Sequence, residues 1–262
     1  LKSGAKLIQS VPVIPYVNKI VSRFLSSHVT KHDDHSWRRL FVRTISAQLH
    51  IFGLIAALAV TAYLTLLLFK RSHDLPPRHW VACFVFSISG LLVFASSSLL
   101  HIFCDGFRIS KSFYRSLRFL DHASIYLFIA GCYTVFVFNA IQPPWDSIIL
   151  FIVWITAILG LFYSGLKHLL PKVLRRRWIS TGFFLALGWT ILIRLPEAWQ
   201  ALSGLSKLLL VAGGFFYTLG ACVFATRRPN LWPGVFGFHE IWHVAVLLGY
   251  AFHAAMVLNF YR

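Results

Sequence analysis

The sequence predicts an all-α, polytopic membrane protein with seven transmembrane helices. Two observations carry this. The 262 residues are 58% hydrophobic and only 13% charged, with a mean hydropathy of +0.70, whereas a soluble domain carries about 25% charged residues. The apolar residues are also gathered into runs of about 20, the length a helix needs to cross the hydrocarbon of a bilayer. The formal charge of +17 suits a nucleic-acid partner at first sight. The basic residues, however, sit in short connections between apolar runs, where they set topology and meet anionic lipid headgroups. Membrane lipids, not nucleic acids, are the expected partners. The four cysteines, Cys83, Cys104, Cys132 and Cys222, lie in or beside apolar runs without CxxC spacing, as inert thiols do.

Residues 1–45 form a basic segment whose first acid is Asp33. Its stretch Leu7–Leu25 mixes apolar residues with Lys19 and Arg23 and is interrupted by Pro12 and Pro15. Three expectations fit it: a mobile tail, a segment lying on the membrane surface, or the remnant of a targeting segment. Residues 46–262 form the transmembrane domain. The expected spans are roughly 46–69, 80–103, 119–141, 146–166, 178–195, 203–225 and 238–260. Connections such as Lys70–His79, Leu169–Arg177 and Arg227–Gly234 are rich in Lys, Arg, Pro and Gly. The fifth span is the shortest, with Arg194 near its end. Counting Lys and Arg on the two sides gives 19 against 6, which predicts a cytoplasmic N-terminus and a C-terminus outside.

With that topology, three helix ends meet at one membrane face. They carry His101, Asp121, His122, His239, Glu240 and His243. His239 and His243 are one helical turn apart and share a face, so two imidazoles there can hold one Zn²⁺, with His101 as a third. Three imidazoles leave a coordination position for water, whose pKa zinc lowers toward about 7. Asp121 is placed to take or orient its proton, and Ser97, one turn before His101, to hydrogen-bond the water or a substrate oxygen. His50 and His122 read as interfacial polar residues. His253 shares the face of His239 but lies ~21 Å deeper, which excludes it from the same metal; a packed, hydrogen-bonded histidine is preferred to one lining a cavity. Trp145, Trp178 and Trp232 read as an interfacial belt.

These residues resemble a known family. Ser97-Ser98-Leu99-Leu100-His101 matches an S-x3-H motif. Leu120-Asp121-His122-Ala123-Ser124-Ile125-Tyr126-Leu127, followed by Ile129-Ala130-Gly131 and Tyr133-Thr134, resembles its third-helix motif. Tyr217-Thr218-Leu219-Gly220-Ala221 with Arg227-Arg228-Pro229 fits the sixth helix and loop. Phe236-Gly237-Phe238-His239-Glu240-Ile241-Trp242-His243 with His253 resembles the seventh. The resemblance is to the hemolysin III group of the progestin and adiponectin receptor family and covers about residues 46–261. It implies a zinc near the cytoplasmic face on His101, His239 and His243, with Asp121 acting through a water and Ser97 beside it. It selects His101 over His50 and His122 as third ligand. One departure stands out: Arg43 and Ser46 precede His50, where bacterial relatives often carry an acid and an Asn.

The resemblance implies a zinc-dependent hydrolase of a lipid amide or ester, of the ceramidase type. A receptor or membrane-homeostasis protein with structural zinc is the alternative. A membrane-damaging protein is a further one, although no polar stripe runs along several helices as a pore would need. His239-Glu240-Ile241-Trp242-His243 also fits the H-E-x-x-H pattern of zinc proteases, but the third-span motif lacks the Asp-Gly ligand sequence of the intramembrane members.

Overall fold

A computed structural model describes residues 34–106, 109–232 and 236–262, with side chains from residue 45 onward apart from residues 105 and 106. The expectation for residues 1–45 falls almost wholly outside these. Residues Arg38–Arg262 form one unit; of the preceding unit, ending at Trp37, only the first turn of a helix is described. The helices are α1 (Asp34–Lys70), α2 (Pro77–Gly106), α3 (Lys111–Ala140), α4 (Trp145–Leu166), α5 (Arg177–Gly188), α6 (Leu195–Ala201), α7 (Gly204–Thr226) and α8 (Phe238–Tyr261), with a 3₁₀ segment, Trp189–Arg194, between α5 and α6. Seven stretches among the described residues are long and apolar enough to cross a membrane, and the chain is an integral, multi-pass membrane protein.

The spans agree with the sequence reading except at two places. The third helix starts at Lys111, eight residues before the expected 119, because Ser110 caps it by accepting from the Phe113 N–H at 3.1 Å. Asp121 and His122 therefore lie within α3, not at its start. The fifth span runs to Ala201 and is broken. The break exposes backbone groups that hydrocarbon cannot satisfy, and Tyr133 of α3 supplies both partners. Its hydroxyl donates to the Gly188 carbonyl at 2.7 Å and accepts from the Ile191 N–H at 2.8 Å. Arg194, near the end of this span, pairs with Glu197 at 2.6 Å and stacks over Trp145. Asp146 is buried and accepts from the Ser147 N–H at 2.7 Å, satisfying an orphan amide of its own helix end.

α3 is the most buried of the described spans, with 72% of its most apolar window buried against 22–56% for the others. One buried cluster joins α1, α2, α3 and α8 around Phe86, Phe94, Phe128 and Tyr250. A second joins α3, α4 and the fifth span around Tyr126, Ile149 and Leu187. In lipid, helices gain by close backbone approach rather than by leaving water. α7 and α8 achieve this with small residues. A Cβ on Gly220 would lie 2.8 Å from that of Ala245, and one on Gly249 would lie 2.7 Å from the Tyr217 ring. Cys83, Cys132 and Cys222 are free thiols.

The buried face of α1 is a single stripe. Ser46, His50, Gly53, Ala57, Leu64 and Leu68 are buried, whereas Phe52, Ile55, Leu58 and Leu66 are exposed. These buried positions recur at three-, four- and seven-residue spacings, one face of a helix. Gly53 makes the approach possible, since a Cβ there would run into Phe94 of α2 and Leu247 of α8.

Candidate metal centre

The first turns of α8 fan four side chains into different neighbours. Taking 100° per residue, Trp242 and Glu240 lie on opposite flanks of the His239–His243 line. Trp242 turns to α7, where it packs on Phe224 and Gly220. Glu240 turns to α1 and is 4% exposed. One of its carboxylate oxygens accepts from the Ser46 hydroxyl at 3.0 Å, the other from the Gly237 N–H at 2.9 Å. The two imidazoles between these flanks face α2 and α1.

Four histidines meet there. The ring centroids of His101 lie 5.3 Å from His239 and 5.1 Å from His243, and those of His239 and His243 are 4.3 Å apart. The Nε2 atoms of His239 and His243 are 2.9 Å apart. His50 joins from α1: its Nε2 is 2.5 Å from His243 Nδ1, and its ring is stacked 6.0 Å from His101. The ring nitrogens that lie within 4.8 Å of one another come from His50, His101 and His243, so this group includes His50, which the sequence reading left out, rather than His239. A buried group of imidazoles that can hold a metal ion is therefore a feature of the structure. His243 takes part with both nitrogens, one toward His239 and one toward His50.

The donor set fits a borderline-soft divalent ion. Zinc binds imidazole nitrogen at about 2.0–2.1 Å in tetrahedral geometry, which places ligand rings roughly 5 Å apart centre to centre. The His101, His239 and His243 separations are of that size. Each neutral imidazole has one ring-nitrogen lone pair, which a borderline-soft cation can take.

Asp121 approaches from α3. Its carboxylate lies within electrostatic range of His50 and His239, faces the Ser97 hydroxyl, and pairs with His122 Nδ1 at 3.3 Å. A neighbouring serine pair holds α2 to α3: Ser96 Oγ is 3.0 Å from Ser124 Oγ, which donates to the Asp121 carbonyl at 2.8 Å. His122 also approaches the Arg118 carbonyl at 3.0 Å and serves Asp121 and its own helix rather than the imidazole group. His253 is packed as expected, against Tyr217 at 5.3 Å and over Gly213, but its Nε2 is buried without a hydrogen-bond partner among the described residues.

Sequence reasoning brought together His101, Asp121, His239, His243 and Ser97, and treated His50 as interfacial. The signal for His50 was the run of polar and small residues Ser46, His50, Gly53 and Ala57 at helical spacing in an otherwise bulky apolar span, which marks a packed face.

A family model described as haemolysin-III related matches residues 41–254. The chain belongs to the haemolysin-III-related family. It is 32% identical over 213 residues to Hemolysin-3 of Bacillus cereus, covering 80% of this chain and 89% of that protein. It is 30% identical over 201 residues to the Hemolysin-3 homolog of Bacillus subtilis (strain 168), covering 76% and 85%. It is also similar to the heptahelical transmembrane protein ADIPOR2 of Oryza sativa subsp. japonica, at 29% identity over 184 residues, 66% of this chain and 79% of that one. The match begins within α1 and ends within α8, so it spans every helix that lines the imidazole group.

Proposed function

We propose that the chain is a zinc-dependent hydrolase of a lipid amide or ester, with the metal on His101, His239 and His243. The observation that carries this reading is the meeting of three imidazoles from α2 and α8, with the Asp121 carboxylate within electrostatic range of His239 and the Ser97 hydroxyl beside that carboxylate. Zinc in such a set would supply Lewis acidity toward a carbonyl and an activated water. Asp121 would hold and pass on the proton taken up during attack, and His122, paired with it, would orient the carboxylate. Ser97 would hydrogen-bond the substrate oxygen or the water. The surrounding spans are apolar, which favours a substrate with acyl chains. With the cytoplasmic N-terminus that the basic loops predict, the site would open near the cytoplasmic face.

Glu240 supports this reading over a protease. The base of an H-E-x-x-H site must face the metal, whereas both Glu240 oxygens are engaged, with Ser46 and with Gly237.

The test is metal content by mass spectrometry on detergent-purified protein, followed by hydrolysis of a panel of ceramides and acyl esters. About one zinc per chain, lost in His101→Ala and His239→Ala, is expected. Asp121→Asn should keep the zinc and lose hydrolysis by 10²-fold or more; hydrolysis intact with zinc bound refutes the mechanism. A second reading, a receptor or homeostasis protein with structural zinc, has one observation in its favour. His50 lies close enough to supply a fourth imidazole, and closed four-ligand sites are structural.

A further inference from the structure

We infer that His50 is a positioning residue: it accepts the Nδ1–H of His243, fixes that ring's tautomer, and is held in place by the Ser46–Glu240 contact between α1 and α8. The inference rests on the zinc reading above. It begins from proton counting. A neutral imidazole has one N–H and one lone pair. His243 has a neighbour at each nitrogen, His50 at Nδ1 and His239 at Nε2. If Nε2 gives its lone pair to a metal shared with His239, the proton must sit on Nδ1 and needs an acceptor. His50 Nε2, 2.5 Å away, is that acceptor.

Distance separates this role from direct ligation. Two nitrogens on one tetrahedral zinc at about 2.0–2.1 Å are about 3.3 Å apart. The His239–His243 pair at 2.9 Å is near that value. The His50–His243 contact is shorter still, that of two nitrogens with one proton between them rather than of two ligands on one ion. His101 also sits closer to His239 and His243 than to His50. His50 thus stands behind His243 as a carboxylate or carbonyl stands behind many metal-bound histidines.

α1 is otherwise an apolar helix that could rotate or slide in lipid. Ser46 and His50, one turn apart on its buried stripe, meet Glu240 and His243 on the matching turn of α8. The first contact sets the register of the second. Glu240, which the proposed chemistry does not use, gains a task here: it ties α1 to the helix that carries two of the ligands.

The test uses the full chain purified in detergent. Zinc affinity is measured by competition with a chromophoric chelator, the coordination sphere by the absorption spectrum of the Co²⁺-substituted protein, and the fold by the melting temperature of the metal-free protein. His50→Ala should bind one metal per chain with a three-nitrogen tetrahedral spectrum, but 10- to 100-fold more weakly. His50→Gln, whose carbonyl can accept the same proton, should recover most of that loss. Ser46→Ala should weaken binding several-fold in the same direction. His50→Leu repeats the measurement should His50→Ala not fold. Wild-type affinity in His50→Ala or His50→Leu overturns the inference, as does a spectrum that has lost a nitrogen ligand, which would make His50 a direct ligand. A wild-type chain that takes no metal sinks the zinc reading itself, and is seen before any variant is compared.

Discussion

Glu240→Ala is the most informative single change outside the ligands, because its cost follows from two contacts in the structure. The side chain is buried, and its oxygens accept one bond from Ser46 at 3.0 Å and one from the Gly237 N–H at 2.9 Å. Hydrogen bonds to a charged group contribute about 1.5–3 kcal/mol each. Gly237 lies near the helix end and is only partly buried, so the pair together should be worth about 3–4 kcal/mol rather than the upper sum. For a chain of this size, ~1 kcal/mol corresponds to roughly 2–4 °C. Glu240→Ala should therefore lower the melting temperature of the detergent-solubilised protein by about 6–16 °C. Glu240→Gln keeps an oxygen for Gly237 and a polar group for Ser46, and should lose less than half of that. A Glu240→Ala protein that melts as the wild type does would show that α1 is not tied to α8 through this carboxylate. A Glu240→Gln protein that keeps its zinc and its melting temperature but loses hydrolysis would make Glu240 catalytic and restore the protease-like reading.

Other changes test other parts of the structure. Tyr133→Phe strands the Gly188 carbonyl and the Ile191 N–H in the membrane and should cost about 2–4 kcal/mol in chemical denaturation, at ~1–3 kcal/mol for each group; a neutral result would mean the broken fifth span satisfies itself. Gly53→Val should push α1 from Phe94 and Leu247 and destabilise the protein by about 1–3 kcal/mol, read as a lower melting temperature. Zinc binding should weaken as pH falls from 7 to 5, because protons compete for the imidazole lone pairs; affinity flat across that range would argue against histidine ligation.

Much of the fold was legible because hydrophobic length is a strong signal. Seven runs of about 20 apolar residues become seven spans, and His101, His239 and His243 meet because helix direction alternates. What was not legible depends on helix rotation. A single apolar span does not say which of its faces is buried, so His50 passed for an interfacial residue and Ser46 for a departure from a motif. The third helix was judged too short because hydropathy fades at Arg115 and Arg118, although the Ser110 cap extends the helix beyond the apolar run. Nothing local in Trp189–Arg194 announces a 3₁₀ break; its partner, Tyr133, lies more than fifty residues away.

That partnership bears on how the protein is made. The fifth span contains a kinked backbone whose free carbonyl and amide are met by a hydroxyl from α3. On its own in a bilayer it would present those groups to lipid. α3 precedes it in the chain and leaves the ribosome first, so the completing hydroxyl is already embedded when the fifth span arrives. Insertion order and hydrogen-bond order coincide, and a span that is weak as an independent unit becomes secure as a late addition.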